Sequence, residues 1–167
     1  MSRERAVSMN AAAADPFLQA AIREAQKGMR HNHGGPFGAV IVHAGHIIAR
    51  GHNQVLKNND PTAHAEIVAI RRAAARLGRF DLDDCEIWST CEPCPMCFAA
   101  IHWARIPLLH YGCTRDDAAA IGFDDALIYA VIRGEAGVEP VTRLQLGRPE
   151  CLALFNEWRE KKGRQSY

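Results

Sequence analysis

Two short segments of this chain carry residue types that ligate metal ions, and a stable fold has to bring them together. The first contains His64 and Glu66, and the second contains Cys94 and Cys97. One imidazole and two thiolates, from His64, Cys94 and Cys97, suit a catalytic zinc that keeps a fourth coordination position for water. Glu66 is then left as a carboxylate beside the metal.

The pattern of these residues also predicts the chemistry of the site. H-x-E and P-C-x-x-C together form the signature of zinc-dependent nucleobase deaminases, and both are complete here, as His64-Ala65-Glu66 and Pro93–Cys97. Zinc lowers the pKa of bound water from about 16 to about 7. Glu66 would take a proton from that water, pass it to a ring nitrogen of the substrate and later protonate the departing amine. We therefore predict one zinc ion (Zn2+) per subunit and Glu66 as the catalytic acid and base.

Three cysteines at equal spacing, Cys91, Cys94 and Cys97, allow other interpretations. A structural zinc site would use all three and a fourth ligand, but such sites normally consist of two separated ligand pairs. An iron–sulfur cluster would need a further cysteine at the position of Ile101. A zinc protein without catalytic activity would have no use for Glu66 in this register. The catalytic interpretation is therefore favoured.

Length and composition favour one domain that spans residues 1–167. The 48% of hydrophobic residues in a chain of 167 suffices for one complete core. Residues 1–14 lack a continuous apolar segment and are interpreted as a flexible leader, and about 149–167 as a C-terminal helix and tail. Six cysteines without an export signal indicate reduced thiols and a cytoplasmic location, and no apolar run has the length of a membrane span.

The net charge of +1 argues against nucleic acid as a partner of the whole surface. Two local clusters of basic residues are nevertheless present. One lies along a predicted helix and the other occupies positions 159–164. We interpret both as solvated surface. The helical cluster consists of Arg71, Arg72, Arg76 and Arg79.

Helix-like and strand-like patterns alternate along the chain. Apolar residues recur at helical spacing after Asp15, after the His-Ala-Glu triplet and after the cysteine turn. Asp60 offers a capping side chain before the second of these helices, and Ala44-Gly45 is typical of a tight hairpin. Strands are predicted at 37–43, 46–53, 86–90, 107–111 and 141–146, and further helices around 125–133 and 151–159. This order predicts an α/β fold, a three-layer α/β/α sandwich around a mixed central sheet.

Five phrases of the sequence carry a resemblance to a known family. They are G-G-P-F-G-A-V-I-V (34–42), N-D-P-T-A-H-A-E-I (59–67), C-E-P-C-P-M-C (91–97), W-A-R (103–105) and G-F-D-D (122–125). With them, the chain resembles the cytidine deaminase-like superfamily over nearly its whole length, and more closely the bacterial guanine deaminases of that fold. The zinc motifs are common to the superfamily, whereas the first and last phrases and Tyr167 favour guanine.

The resemblance implies a set of substrate contacts. Phe37 would stack on the base. Asn53 and the backbone N–H of Ala65 would hydrogen-bond the purine carbonyl, and Asp125 and Tyr167 would close the pocket. Each side chain also has a structural interpretation, because Phe37 suits a core, Asn53 a turn and Asp125 a helix N-terminus.

The resemblance further implies a homodimer with exchanged C-terminal segments. Tyr167, as the last residue, reaches a pocket only if the tail folds back or crosses to a partner subunit. Domain exchange is a low-cost route to such a dimer.

The predicted reaction is hydrolysis of a small-molecule purine, guanine, to xanthine and ammonia. A tRNA adenosine deaminase, which converts adenosine to inosine, is the main alternative, because N-D-P-T-A-H-A-E-I suits both and the basic tail could contact phosphates. The low net charge, G-G-P-F and G-F-D-D stand against it. A guanosine deaminase or a deaminase of another amino-heterocycle also stays open, and whether Tyr167 seals the ribose side decides that.

Overall fold

A computed structural model describes residues 15–135 and 137–166. The predicted leader at 1–14 and Tyr167 therefore lie outside the described residues. The described helices and strands, in chain order, are α1 (Pro16–Arg30), β1 (Gly38–His43), β2 (His46–His52), α2 (Val55–Asn58), α3 (Ala65–Leu77), β3 (Cys85–Cys91), α4 (Pro95–Trp103), β4 (Leu108–Cys113), α5 (Arg115–Ala120), α6 (Ala126–Ile132) and α7 (Arg148–Glu160).

The strands form one mixed sheet in the order β2-β1-β3-β4. Strand β1 is antiparallel to β2 and to β3, whereas β3 and β4 are parallel. Ala44 and Gly45, with φ of 49° and 77°, make the tight turn between β1 and β2. Positive φ at both turn residues is typical of the two-residue hairpin, and it confirms the prediction for this pair.

Strand β1 shows why the chain forms three layers. Its residues from Gly38 to Val42 are all buried. Ala39 and Ile41 belong to the core against α3 and α4, whereas Val40 and Val42 pack against α1. A strand covered on both faces is a continuous apolar run, as G-A-V-I-V is here. The predicted α/β/α sandwich with a mixed sheet is confirmed.

Two glycines allow helices to pack unusually close to the sheet. A Cβ atom on Gly38 would lie 2.1 Å from the carbonyl oxygen of Ala21 in α1. A Cβ on Gly51 would lie 2.2 Å from the carbonyl oxygen of Ala65, the first residue of α3. Only glycine permits these approaches. The Gly51 contact matters for the site, because it presses the beginning of α3 against the end of β2.

Two local expectations from the sequence are wrong. Residues 141–146, predicted as a fifth strand, pair with no described strand, and their side chains are exposed. The apolar and polar residues there alternate as in a strand, but alternation cannot supply a partner strand. Asp60 does not cap α3, since its carboxylate accepts from the N–H and hydroxyl of Thr62 within a turn. His64 is the N-cap residue instead.

Helix α7 is exposed over its whole length. Its apolar residues recur at helical spacing and include Leu154, Phe155 and Trp158, which are 61%, 67% and 46% exposed. No helix in the described part of the chain has the length and apolar character of a membrane span.

Candidate active site

The beginnings of two helices meet at the end of the sheet where β2 and β3 finish. His64 is the N-cap residue of α3 and Cys94 is the N-cap residue of α4. Neither side chain caps its own helix by a hydrogen bond, so both are free to point outward. The positive ends of two helix dipoles therefore face the same point, which favours thiolate over thiol there.

The three predicted ligand atoms converge as a metal site requires. The Nδ1 atom of His64 lies 3.5 Å from the sulfur of Cys94 and 3.5 Å from that of Cys97. All three ligand atoms lie within 4.8 Å of one another. A tetrahedral zinc with bonds of about 2.0–2.3 Å separates its ligand atoms by roughly 3.5 Å. The donor set and its spacing therefore fit one zinc ion.

The thiols of Cys94 and Cys97 form a hydrogen bond with each other, which shifts the pKa of both. A hydrogen bond from Cys97, with a further one from His64, lowers the pKa of the Cys94 thiol to about 4 despite its burial. The same contact raises the pKa of Cys97, as do burial and the nearby Glu66. A divalent cation bound at this site would stabilise the thiolate form of both cysteines. It would thus replace the proton of the hydrogen bond between them.

Glu66 lies beside this donor set, in the first turn of α3. It is only 5% exposed, and burial raises the pKa of its carboxyl above the usual range. One oxygen, Oε1, accepts from the hydroxyl of Ser89 at 3.0 Å, and the other lies 3.4 Å from the sulfur of Cys97. A buried carboxyl of raised pKa at this position can take up a proton and return it.

Ser89 was not predicted from the sequence. It is fully buried in the middle of β3, where it donates to Glu66 and accepts weakly from the N–H of Cys91. Alternation along β3 places Cys85, Ile87 and Ser89 on one buried face. That pattern could have revealed a buried hydroxyl, and a buried hydroxyl needs a hydrogen-bond partner. The pattern could not have identified Glu66 as that partner.

A cavity of about 590 Å³ opens above the ligands and Glu66. Phe37 lines it together with Phe123, and the two rings pack edge to face with their centroids 4.9 Å apart. A Cβ on Gly35 would lie 2.7 Å from the ring of Phe123, so a larger residue at that position would have to displace the ring. Sequence reasoning included Phe123 only within G-F-D-D and gave it no role.

Asn53 lines the same cavity and is 5% exposed. Its side-chain oxygen accepts from the N–H of Val55 at 3.1 Å, which is the turn role considered for it. The amide nitrogen is the remaining donor of that side chain. Both interpretations of Asn53 are therefore compatible with the structure.

Asp125 also lines the cavity. Burial, and then the charge of Cys94, raise the pKa of its carboxyl. Although Asp125 is the N-cap residue of α6, its side chain makes no capping hydrogen bond. The neighbouring Asp124 accepts from the N–H of Ala126 instead. The carboxyl of Asp125 is therefore not used in capping and can contact a molecule in the cavity.

The last two predicted substrate contacts are the backbone N–H of Ala65 and the side chain of Tyr167. Ala65 is fully buried as the first residue of α3, where its N–H has no acceptor within the helix. Tyr167 lies outside the described residues.

Comparison with known proteins agrees with this geometry. The family model for the cytidine and deoxycytidylate deaminase zinc-binding region matches residues 12–113. The guanine deaminase of Bacillus subtilis is 46% identical over 153 residues, which make up 92% of this chain and 98% of that protein. Its crystal structure superposes with a TM-score of 0.88 and covers 93% of this chain and 99% of its own.

Other relatives match over shorter stretches. The tRNA-specific adenosine deaminase of Aquifex aeolicus is 46% identical over 54% of this chain and 59% of its own length. A guanine deaminase structure from Nitrosomonas europaea has a TM-score of 0.63 at 34% identity and covers 68% of this chain and 66% of its own. Since one model spans most of the chain and one relative matches nearly end to end, the chain belongs to the family of the cytidine and deoxycytidylate deaminase zinc-binding region.

Proposed function

We propose that this protein is a zinc-dependent guanine deaminase that hydrolyses guanine to xanthine and ammonia. The observation that carries the proposal is the match to the Bacillus subtilis guanine deaminase over 92% of this chain and 98% of that protein. The cavity supports it, because an aromatic wall and a few convergent polar groups suit a flat heterocycle.

The positions of the side chains support the following roles in the reaction. His64, Cys94 and Cys97 hold the zinc, which when bound makes water a nucleophile at neutral pH. Glu66 accepts a proton from the attacking water at its carboxylate and delivers it to the purine ring. It then accepts a second proton, from the hydroxyl left on the purine carbon, and delivers that one to the leaving amine. Ser89 holds one carboxylate oxygen of Glu66 and so orients the other.

The substrate contacts implied by the resemblance remain proposals. Phe37 stacks on the purine, and the amide of Asn53 and the N–H of Ala65 donate to its carbonyl oxygen. Asp125, which lines the cavity, helps to close the pocket. Tyr167 closes the pocket from the C-terminus.

Ammonia release by the zinc-loaded protein tests the proposal. The substrate panel consists of guanine, guanosine, adenine, cytosine, cytidine and a tRNA anticodon stem-loop. We expect turnover of guanine well above that of every other compound. Turnover of guanosine at a similar rate would show that the ribose side is open, and no turnover of guanine would contradict the proposal.

A tRNA adenosine deaminase remains the second candidate. The tRNA-specific adenosine deaminase of Streptococcus pyogenes, for example, is 45% identical over 58% of this chain. The basic residues at 159–164 are exposed and could contact phosphates. Phosphate contacts impose a steep fall of affinity with salt, so the slope of log K against log salt for tRNA discriminates the two functions. A slope near zero would exclude this candidate.

We also propose that the protein is a homodimer whose C-terminal segments are exchanged. The exposed apolar face of α7 supports this, because an amphipathic helix gains stability by burying that face. A second copy would offer an equivalent surface to each α7, as two-fold symmetry requires.

The chain is further expected to act in the cytoplasm as one domain. None of the six cysteines, all of which lie in the described residues, forms a disulfide, which agrees with a reducing compartment. A single cooperative unfolding transition would agree with one domain.

A further inference from the structure

A row of three side chains lies behind the wall of the cavity and has no part in the chemistry described above. The Nδ1 atom of His33 lies 2.8 Å from the Nε2 atom of His52, and the Nδ1 atom of His52 lies 3.3 Å from the carboxylate of Glu24. The planes of the two imidazole rings are nearly parallel, at 19° to each other, with centroids 5.1 Å apart. His52 is 4% exposed and the carboxylate of Glu24 is also largely shielded from water, whereas His33 is half-buried.

The carboxylate at one end determines where the protons lie. Glu24 can only accept, so the Nδ1 atom of His52 carries the proton of that contact. In neutral His52 the Nε2 atom is then an acceptor. His33 must therefore donate from its own Nδ1 atom. When His52 and His33 are both protonated, two N–H groups face each other and the hydrogen bond between the rings is lost.

His33 connects this row to two helices of the fold. Its backbone N–H donates to the carbonyl of Gly28 at the end of α1. Its carbonyl accepts from the N–H groups of Leu56, at 3.0 Å, and Lys57, at 3.1 Å, both in α2. The position of His33 thus depends on its side-chain contact with His52 and on backbone contacts with both helices.

The residues that follow His33 and His52 form one wall of the cavity. Gly34 follows His33 and Asn53 follows His52, and both line the cavity. The two are in close contact, since a Cβ on Gly34 would lie 2.0 Å from the side-chain oxygen of Asn53. A hydrogen bond between the two histidines therefore fixes the spacing of two pocket residues.

We propose that His33 and His52 are positioning residues, which hold Gly34 and Asn53 in place for the purine and release them when both imidazoles are protonated. This inference rests on the proposed function for its substrate. The expected consequence is a KM for guanine that rises at acid pH while kcat changes little, because Glu66 and the zinc ligands lie outside the row.

The surrounding charges place this change below neutral pH. Burial, then the charges of Lys57, His52, His31 and Lys27, lowers the pKa of His33. Burial also lowers the pKa of His52, with Lys27 and Arg72 acting in the same direction and Glu24 opposing them. Both imidazoles are therefore neutral at pH 7 in the folded protein. The ordinary pKa of histidine is about 6.5. As the pH falls below this value, protonation of the imidazoles becomes more favourable and works against the hydrogen bond between them.

Three variants separate positioning from general stability. His33→Ala removes the donor, and we expect KM for guanine at pH 7.5 to rise about 2–10-fold, as for one lost hydrogen bond. His33→Asn keeps an N–H near the position of Nδ1 and is expected to restore KM to within about twofold of the original. His43→Asn, at a histidine that contacts Asp84 away from the cavity, is the control.

Kinetics between pH 5.5 and 8.5 and hydrogen exchange of residues 33–37 give two independent readouts. We expect the pH dependence of KM to disappear in His33→Ala. After correction for intrinsic rates, protection of 33–37 should fall at acid pH in the parent protein and be low throughout in His33→Ala. Equal KM profiles and equal protection in His33→Ala and the control would overturn the inference. If guanine is not turned over, the proposed function fails, and protection of 33–37 still tests the row.

Discussion

At the scale of single residues, the site combines groups that a motif reveals with groups that only packing reveals. His64, Cys94 and Cys97 could be predicted because few residue types ligate zinc and their spacing is characteristic. The hydrogen bond from Ser89 to Glu66 could not, because it joins β3 to α3 across the core. Long-range contacts of this kind depend on the packing of whole elements.

Replacement of Glu66 by glutamine tests the proton transfer. The ligands are unchanged in Glu66→Gln, so zinc content should be retained. Turnover should fall about 10²–10⁴-fold, the usual contribution of a positioned acid and base. Zinc analysis and ammonia release on the same sample measure both. Near-normal activity in the zinc-loaded variant would overturn the mechanism.

Replacement of Ser89 by alanine tests the orientation of Glu66. The carboxylate would lose its hydrogen bond from a fully buried donor. We expect kcat to fall roughly 10-fold, in keeping with the sensitivity of catalysis to misplaced groups, with KM within about twofold. The midpoint of thermal unfolding is the control for a general loss of structure. A rise in KM without a change in kcat would assign Ser89 to substrate binding instead.

At the scale of elements, the arginine cluster of α3 does more than face solvent. Arg72 donates to the carbonyl of Arg50 at 2.8 Å, and Arg76 donates to that of Ile48 at 2.9 Å. Both carbonyls belong to β2, which is an edge strand of the sheet. Covering an edge in this way opposes pairing with other chains. The sequence showed the arginines on one helix but not the strand beneath them.

The close contact between β2 and α3 leads to a prediction for Gly51. A methyl group in Gly51→Ala would meet the carbonyl oxygen of Ala65 and displace the beginning of α3. We expect a loss of about 1–3 kcal/mol of unfolding free energy and weaker zinc retention against a chelator. Gly45→Ala, in the open hairpin turn, is the control and should retain zinc. Full zinc retention in both variants would contradict the prediction.

At the scale of the whole molecule, the central layers and the helices α6 and α7 were predictable, whereas the surface that covers the C-terminal third was not. The strands of the sheet could be predicted because their burial follows a simple pattern. Strand β1 is buried on both faces, and buried and partly buried residues alternate along β3. Residues 141–146 have a similar pattern but remain exposed. Hydrophobic patterning predicts that burial stabilises a segment. It does not identify the surface that covers the segment, or whether that surface belongs to the same chain or to a second copy.

The dimer proposal leads to a prediction for Phe155. This ring is 67% exposed in the single chain, and an aspartate there would place a charge in the proposed interface. We expect sedimentation to show a dimer for the parent protein and a monomer for Phe155→Asp. Glu157→Gln, on the same helix, is the control. A parent protein that sediments as a monomer would contradict the exchange of C-terminal segments.

The position of two zinc ligands as N-cap residues links the metal to the folding equilibrium itself. Since His64 and Cys94 begin α3 and α4, one ion completes two helices and joins them across the core. A ligand that binds only the folded state stabilises it in proportion to the logarithm of its free concentration. Each tenfold rise in free zinc above its dissociation constant should thus add about 1.4 kcal/mol of stability. The amount of folded enzyme in a cell would then follow the supply of zinc.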